Sequence, residues 1–220
     1  HHFSINVNYG DGLKPTGSYI NGSTIYSQRK PIRSVGTLKL PDANNVFSKT
    51  TYDYEDCNKM LGREGLEKYT LNNISYNKNY RFAFIKVHID NIAEYKDTHG
   101  KKAYNTILDI IKETLLKVVE YRGVAGNPDN ETEYVVIVKD LYNESELRAF
   151  IEYMSSRIIW ECKAFDVSFM PLFSIGIGRY PDNGTDFKVI TNKLIKATDI
   201  AISKGGNRYI IYKEDIHGEL

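Results

Sequence analysis

Residues 81–89, RFAFIKVHI, decide the fold of this chain. The segment is rich in aromatic and β-branched residues and carries apolar residues on both faces, which is typical of a central strand covered by helices. A polar run, DNIAEYKDTHG, follows at 90–100, and residues 101–120 then place their apolar side chains at helical spacing. The centre of the chain is therefore predicted to be a buried strand followed by a long amphipathic helix.

The same patterns extend in both directions from this centre. The other predicted elements are a helix over 53–69, a turn at 126–130, a strand over 133–138, a helix over 144–160 with Asn143 as its N-cap, a strand over 166–178, a helix over 185–204 closed by Gly205 and Gly206, and a strand over 208–212. A short extra strand fits at 121–125. This order predicts an α+β, ferredoxin-like or palm sandwich, whose central mixed or antiparallel sheet is covered by helices.

The composition is that of an ordinary globular domain. The 220 residues are 41% hydrophobic and 26% charged, and the formal net charge is +1. This balance argues against a nucleic-acid binder with a broad basic surface. The two cysteines, Cys57 and Cys162, are too few for a disulfide scaffold, and no apolar run is long enough to cross a bilayer. We therefore expect a cytoplasmic fragment without membrane contact.

The composition shifts near residue 50, which predicts several segments. Residues 1–2 resemble the remnant of a purification tag, and 3–49 form a β-rich, irregular segment of unknown role. This segment is either a set of strands packed on the main body or the tail of an upstream module. The main domain is predicted at 50–213, and 214–220 are interpreted as the start of a linker in a longer protein, which could carry a membrane anchor.

Five segments carry a resemblance to the GGDEF family of diguanylate cyclases. They are MLGREGL at 60–66 beside TGLxNRxGL, HIDNIAEYKDTHG at 88–100 beside DIDxFKxINDxxG, NETEYVVI at 130–137 beside GGDEFxxLL, SIGIGRYP at 174–181 beside SIGIAxYP, and the segment at 197–209 beside AxxAKxxGRNR. Each is weak alone. Their order and spacing over residues 53–213 make the chain resemble this family.

The resemblance implies a nucleotide-cyclase fold and a known chemistry. Such enzymes join two GTP molecules, one on each half of a dimer, into cyclic di-GMP. Two carboxylates hold two Mg²⁺ ions, which require hard oxygen ligands. A Gly-Gly turn lets the nucleotide approach the backbone, and an Asn and an Asp read the guanine edge.

Several of these positions differ in this chain. The first metal ligand is replaced by His88, the second by Thr132, the two glycines by Asn130 and Glu131, the guanine-reading pair by Lys96 and Asn105, and the phosphate-binding lysine by Ile202, with Lys204 two residues on. A one-residue slip would put Glu131 at the metal position. Asp90, Asp97 and Glu133 are retained. Because a softer imidazole suits Mg²⁺ poorly, we expect a degenerate domain with no catalytic residue, no metal and no required cofactor.

Three functions follow from this interpretation. The first is a catalytically inactive regulatory domain in cyclic-dinucleotide signalling, which senses GTP or forms a homodimer beside a covalently linked EAL or other output domain. The second is a nucleotide-binding domain with weak ATP or GTP hydrolase activity, because the chain also resembles the GGDEF domains of cyclic-di-AMP phosphodiesterases. The third is a protein-interaction module that uses residues 3–49. The first expectation includes no diguanylate cyclase activity.

Some candidate site residues also have structural interpretations, which we favour. His88, Asp90 and His99 are the residue types of a zinc site, but His99 is predicted in a polar loop. Glu133 is expected to cap a turn or pair with a lysine. The segment from Lys204 to 208 could hold phosphate through its backbone, but it is also a normal glycine-terminated helix end.

Overall fold

The computed structural model describes residues 19–27, 30–39, 59–76, 79–120, 122–141, 143–164 and 169–218, with side chains described from residue 59 onward except at 75 and 76. The chain divides into two compact units, residues 1–51 and 52–220. In the first unit, β1 (Tyr19–Ser27) and β2 (Lys30–Lys39) pair as an antiparallel hairpin. The predicted tag remnant at 1–2 lies outside the described residues, as do 3–18, 28–29 and 40–49 of the segment predicted at 3–49.

The second unit is built on a five-stranded sheet. Its strands are β3 (Phe82–Ile89), β4 (Gly123–Gly126), β5 (Glu133–Lys139), β6 (Phe173–Tyr180) and β7 (Arg208–Ile211). They lie in the order β4-β5-β3-β6-β7, with β3 at the centre. All neighbours are antiparallel except β6 and β7, which are parallel. The prediction of a mixed sheet with the 81–89 segment at its centre is confirmed.

The described part of this unit contains five helices: α1 (Arg63–Tyr76), α2 (Ile92–Val119), α3 (Glu144–Ala164), α4 (Phe187–Ser203) and the single turn α5 (Glu214–His217). The larger core lies between the sheet and α2 with α3, where Ile85, Val87 and Ile107 are fully buried. The smaller core lies on the other face, under α1 and α4, and contains Phe82 and Phe84. Central strand β3 is therefore covered on both faces, as its apolar pattern indicates.

Several boundaries differ from the sequence-based prediction. Helix α1 begins ten residues later than expected and extends further, and β6 begins at Phe173, so Pro171 precedes the strand instead of interrupting it. Helix α2 begins at Ile92 instead of 101, because the polar run at 90–100 is itself helical up to a break at Gly100, where φ is 80°. His99 therefore lies on a helix, not in a loop, and its ring stacks on the ring of Tyr95. Within the described residues, no helix is long and apolar enough to span a bilayer.

Candidate functional site

The candidate site lies at the carboxyl end of β3, on the sheet face that α4 covers. Strand pairing places Glu133 of β5 and Ser174 of β6 opposite His88 of β3, and Arg208 of β7 opposite Ser174. Directly paired residues point to the same face of a sheet. Four polar residues from four strands therefore form one row across the end of the sheet.

Lys86 lies two residues before His88, and hence on the same face of β3. Its side chain is only 8% exposed, and its Nζ lies 3.0 Å from Glu133 Oε2 and 3.7 Å from Asp129 Oδ2. Asp129, in the β4–β5 turn, also pairs with Arg63 at the start of α1. A buried ammonium is stable only beside opposite charge, which these two carboxylates supply.

Three side-chain nitrogen atoms lie close to the Glu133 carboxylate. Lys86 Nζ and Asn130 Nδ2 each donate to Oε2 over 3.0 Å, and His88 Nδ1 lies 3.4 Å from Oε1. The pKa of Glu133 is lowered to about 2, chiefly by His88 and then by Lys86, while burial acts in the opposite direction. Glu133 is thus held as a carboxylate and paired with a lysine.

Because of this pairing, we expect the free energy of unfolding to decrease at acid pH. The folded pKa of about 2 lies below the usual 4.5, so the stabilisation is complete above about pH 4.5 and is lost as the pH falls towards about 2. Because the carboxylate is partly in contact with water, we expect a loss of about 1 to 2 kcal/mol. Urea unfolding of wild type and Glu133→Gln from about pH 5 to about pH 2.5 measures it. Parallel curves for the two proteins would contradict this prediction, and Glu67→Gln, on the exposed side of α1, controls for loss of a surface charge.

Two polar atoms in the row lack a well-formed hydrogen bond among the described residues. They are His88 Nδ1, which forms only a long 3.4 Å contact with Glu133, and Ser174 Oγ, which is fully buried and has no partner there. Buried polar groups are nearly always hydrogen-bonded in native proteins, to protein, water or ligand. The neighbouring pair therefore marks a place where a polar ligand can bind.

Asp90 connects this row to the turn that follows α4. Its Oδ2 accepts a hydrogen bond from the backbone N–H of Asn207 over 2.8 Å. Gly205 and Gly206 both have positive φ, and a Cβ on Gly206 would lie 2.8 Å from Asp90 Oδ2. The predicted glycine stop of α4 is confirmed, and at Gly206 the positive φ, together with the close approach of Asp90, favours glycine.

The positions that align with guanine recognition lie along α2. Lys96 Nζ lies 4.5 Å from the centroid of the Tyr104 ring, and the Tyr104 hydroxyl donates to Glu131 Oε1 over 2.8 Å. Burial, with the Glu131 contact, raises the pKa of Tyr104 to about 12. Lys96, Tyr104 and Glu131 thus form a connected chain from α2 to the β4–β5 turn. The remaining aligned positions, Asp97, Asn105 and Lys204, are exposed.

A magnesium pair does not fit the donors at this site. Position 88 carries an imidazole, and the Thr132 hydroxyl donates to Asn130 Oδ1 over 2.8 Å. The carboxylates that do converge, Glu133 and Asp129, already hold the Lys86 ammonium. Within the described part of the chain, no group of three or more His, Cys, Asp or Glu side chains is arranged to hold a metal ion. No step of a reaction is therefore assigned to a metal here.

Sequence comparison by motif position missed three residues of the site: Lys86, Asp129 and Ser174. One signal was present, because Lys86 is a charged residue flanked by the apolar residues Ile85 and Val87 inside a buried strand. Such a lysine needs a carboxylate partner. The identity of that partner depended on the fold, since Glu133 is 47 residues away in sequence.

The chain matches one protein-family model and is similar to several solved structures. The family model described as "Diguanylate cyclase, GGDEF domain" matches residues 57–208, and no curated protein matches the chain. The active GGEEF domain of a diguanylate cyclase from Vibrio cholerae is similar in structure, with a TM-score of 0.60 and 16% identity over 70% of this chain and 99% of that one. The GGDEF domain of DgcB from Caulobacter crescentus, solved with c-di-GMP, has a TM-score of 0.59 and 12% identity over 71% and 93%. At these identities the likeness shows the fold.

One expectation is corrected by these findings. The chain was expected to be no enzyme, on the grounds of the substitutions at His88 and Thr132, but the model that matches it is that of diguanylate cyclase domains, and an active domain is among the similar structures. The position-by-position comparison with the family motif identified the lost carboxylates. It did not identify Asp129, which the fold brings to the site. With its palm fold, and a family match that covers most of its length, the chain belongs to the GGDEF family.

Proposed function

We propose that this domain binds a purine nucleotide at the carboxyl end of β3 and acts through that binding in cyclic-dinucleotide signalling. The observation that carries the proposal is the buried, unpartnered Ser174 Oγ opposite His88, whose Nδ1 has only a long contact with Glu133. A ligand with hydrogen-bonding atoms would satisfy both groups and remove the cost of leaving them unpaired.

The surroundings of this pair favour an anionic ligand. Lys204 and Arg208 flank the Gly205–Gly206 turn and are exposed, and the Arg208 Nε donates to the carbonyl of Gly206 over 3.0 Å. Cations beside a glycine turn suit phosphate groups. GTP is the first candidate because the family uses it, and ATP is the second. The c-di-GMP bound to the structurally similar DgcB supports a nucleotide of the same class.

The role that goes with binding is regulation. We propose that the bound nucleotide alters a homodimer contact or an attached output domain, such as an EAL phosphodiesterase, in the cytoplasm. The polar row ends at Arg208, only a few residues before α5, so occupancy of the site can influence the segment that follows β7.

Calorimetric titration with non-hydrolysable GTP and ATP analogues, cyclic di-GMP and cyclic di-AMP tests the proposal. We expect at least one to bind with a dissociation constant of micromolar order. Ser174→Ala should weaken that binding about tenfold, the effect of losing one hydrogen bond of about 1.4 kcal/mol.

The control is Thr185→Ala, an exposed hydroxyl residue just before the start of α4, at the end of that helix far from the Gly205–Gly206 turn, which should leave the affinity unchanged. Absence of binding by all four nucleotides would overturn the proposal, and so would equal affinities of wild type and Ser174→Ala. Mass spectrometry of samples incubated with GTP or ATP then identifies the product, cyclic di-GMP or a nucleoside diphosphate.

A further inference from the structure

The charge arrangement around Lys86 has a feature that nucleotide binding does not explain. Two carboxylates from different segments converge on one nearly buried ammonium: Glu133 begins β5, and Asp129 lies in the turn before it. Two carboxylates that contact the same ammonium would repel each other if that cation did not lie between them. Here the cation between them is the Lys86 ammonium, which is covalently part of the chain.

We propose that Lys86 is a tethered cation that holds Glu133 and Asp129 together in place of a divalent metal ion. Its Nζ is 3.0 Å from one carboxylate and 3.7 Å from the other, and its side chain is only 8% exposed. Since β3 is paired on both sides, to β5 and to β6, the backbone that carries the ammonium is fixed. A solvated ion has no such attachment and must be bound from solution.

The neighbouring contacts complete the charge balance. Arg63 pairs with the second carboxyl oxygen of Asp129, and Asn130 donates to Glu133. The two carboxylates already contact two positive charges, Lys86 and Arg63. A divalent ion would therefore bring excess positive charge and would have to displace the lysine. The β4–β5 turn is therefore held against β3 without any ion from solution.

Removal of the ammonium should convert this cluster into a metal site. In Lys86→Met the side-chain length is nearly kept, but Glu133 and Asp129 are left facing each other without their shared cation. Carboxylate oxygens are ligands that Mn²⁺ and Mg²⁺ accept. The variant should therefore acquire an affinity for a divalent ion that the wild type lacks.

Titration with Mn²⁺ alone, followed by electron paramagnetic resonance of the free ion, tests this in the full chain without nucleotide. We expect wild type to leave Mn²⁺ free, and Lys86→Met to bind about one ion per chain, at least tenfold more tightly than wild type. Thermal unfolding of Lys86→Met should shift upward on adding Mn²⁺, whereas that of wild type should not move. Lys112→Met is the matched control, because Lys112 pairs with Asp109 at the surface of α2.

Two results would overturn the proposal. One is stoichiometric Mn²⁺ binding by wild type that Glu133→Gln abolishes, since Lys86 would then not exclude the ion. The other is a folded Lys86→Met that binds Mn²⁺ no better than wild type. If Lys86→Met does not fold, the comparison of wild type with Glu133→Gln still decides. The experiment uses no nucleotide, so its outcome is independent of the proposed function.

Discussion

Gly176→Ala is expected to lower the free energy of unfolding by about 3 kcal/mol. Gly176 lies in β6 directly under α4, and a Cβ there would lie 2.4 Å from the Leu194 carbonyl oxygen and 2.6 Å from the Thr198 backbone nitrogen. Both atoms belong to the helix backbone, so no side-chain rotation relieves the clash. Helix α4 would have to move away from the sheet, which exposes part of the core beneath it.

Gly178→Ala is the matched control, two residues further along the same strand and on the same face. A Cβ at Gly178 would lie 3.3 Å from Leu194 Cδ2 and 3.4 Å from Ile190 Cγ2, which are the ends of flexible side chains. We expect this change to cost less than about 1 kcal/mol. Urea unfolding of both variants measures the difference. Equal losses of unfolding free energy in the two variants would show that α4 does not closely contact β6 at Gly176.

The close approach of α4 to β6 also positions the candidate site. Helix α4 ends at Ser203, and the Gly205–Gly206 turn that follows brings the backbone of Asn207 to Asp90. A helix displaced at Gly176 would carry this turn away from the polar row. Gly176→Ala should therefore weaken nucleotide binding as well as stability, whereas Gly178→Ala should affect neither strongly.

Local patterns in the sequence predicted most of the fold. The apolar run of β3, the helical stripe of α3 behind its cap Asn143, and the glycines after α4 each depend on neighbouring residues alone, and each is found where expected. The prediction was wrong where a local signal is ambiguous. The segment at 90–100 is polar like a loop, yet from Ile92 onward it forms the first part of α2, and within this helix the backbone departs from helical geometry at Gly100.

The site was harder to predict than the fold, because its contacts join distant segments. Arg63 and Asp129 are 66 residues apart, and Lys86 and Glu133 are 47 apart. Comparison of motif letters identified His88, Asp90 and Glu133 as site positions, and all three do lie at the end of β3 or beside it. It could not identify Lys86, because its partners become visible only when β5 is paired with β3 in the correct register.

The strongest electrostatic coupling is expected between Lys86 and Glu133. Lys86→Met should lower the free energy of unfolding by about 3 kcal/mol, since it leaves two partly buried carboxylates without their shared cation. Glu133→Gln should lower the free energy of unfolding by about 2 kcal/mol, because Asp129 and the surrounding water still stabilise the Lys86 ammonium in part. When both residues are changed, no Glu133 carboxylate is left without its lysine and Asp129 still pairs with Arg63, so the double variant should lose little more than Lys86→Met alone.

These values imply a coupling energy of about 2 kcal/mol in a double-mutant cycle, measured by urea unfolding at neutral pH with a chelator present to keep metal out of the cluster. Lys112 and Asp109 provide the control cycle. They form a similar ion pair, with a nitrogen-to-oxygen distance of 3.5 Å, but lie on the water-exposed side of α2. Their coupling should stay below about 0.5 kcal/mol. If the free-energy losses at Lys86 and Glu133 simply add, burial does not strengthen this pair, and the ammonium is not what holds the β4–β5 turn against β3.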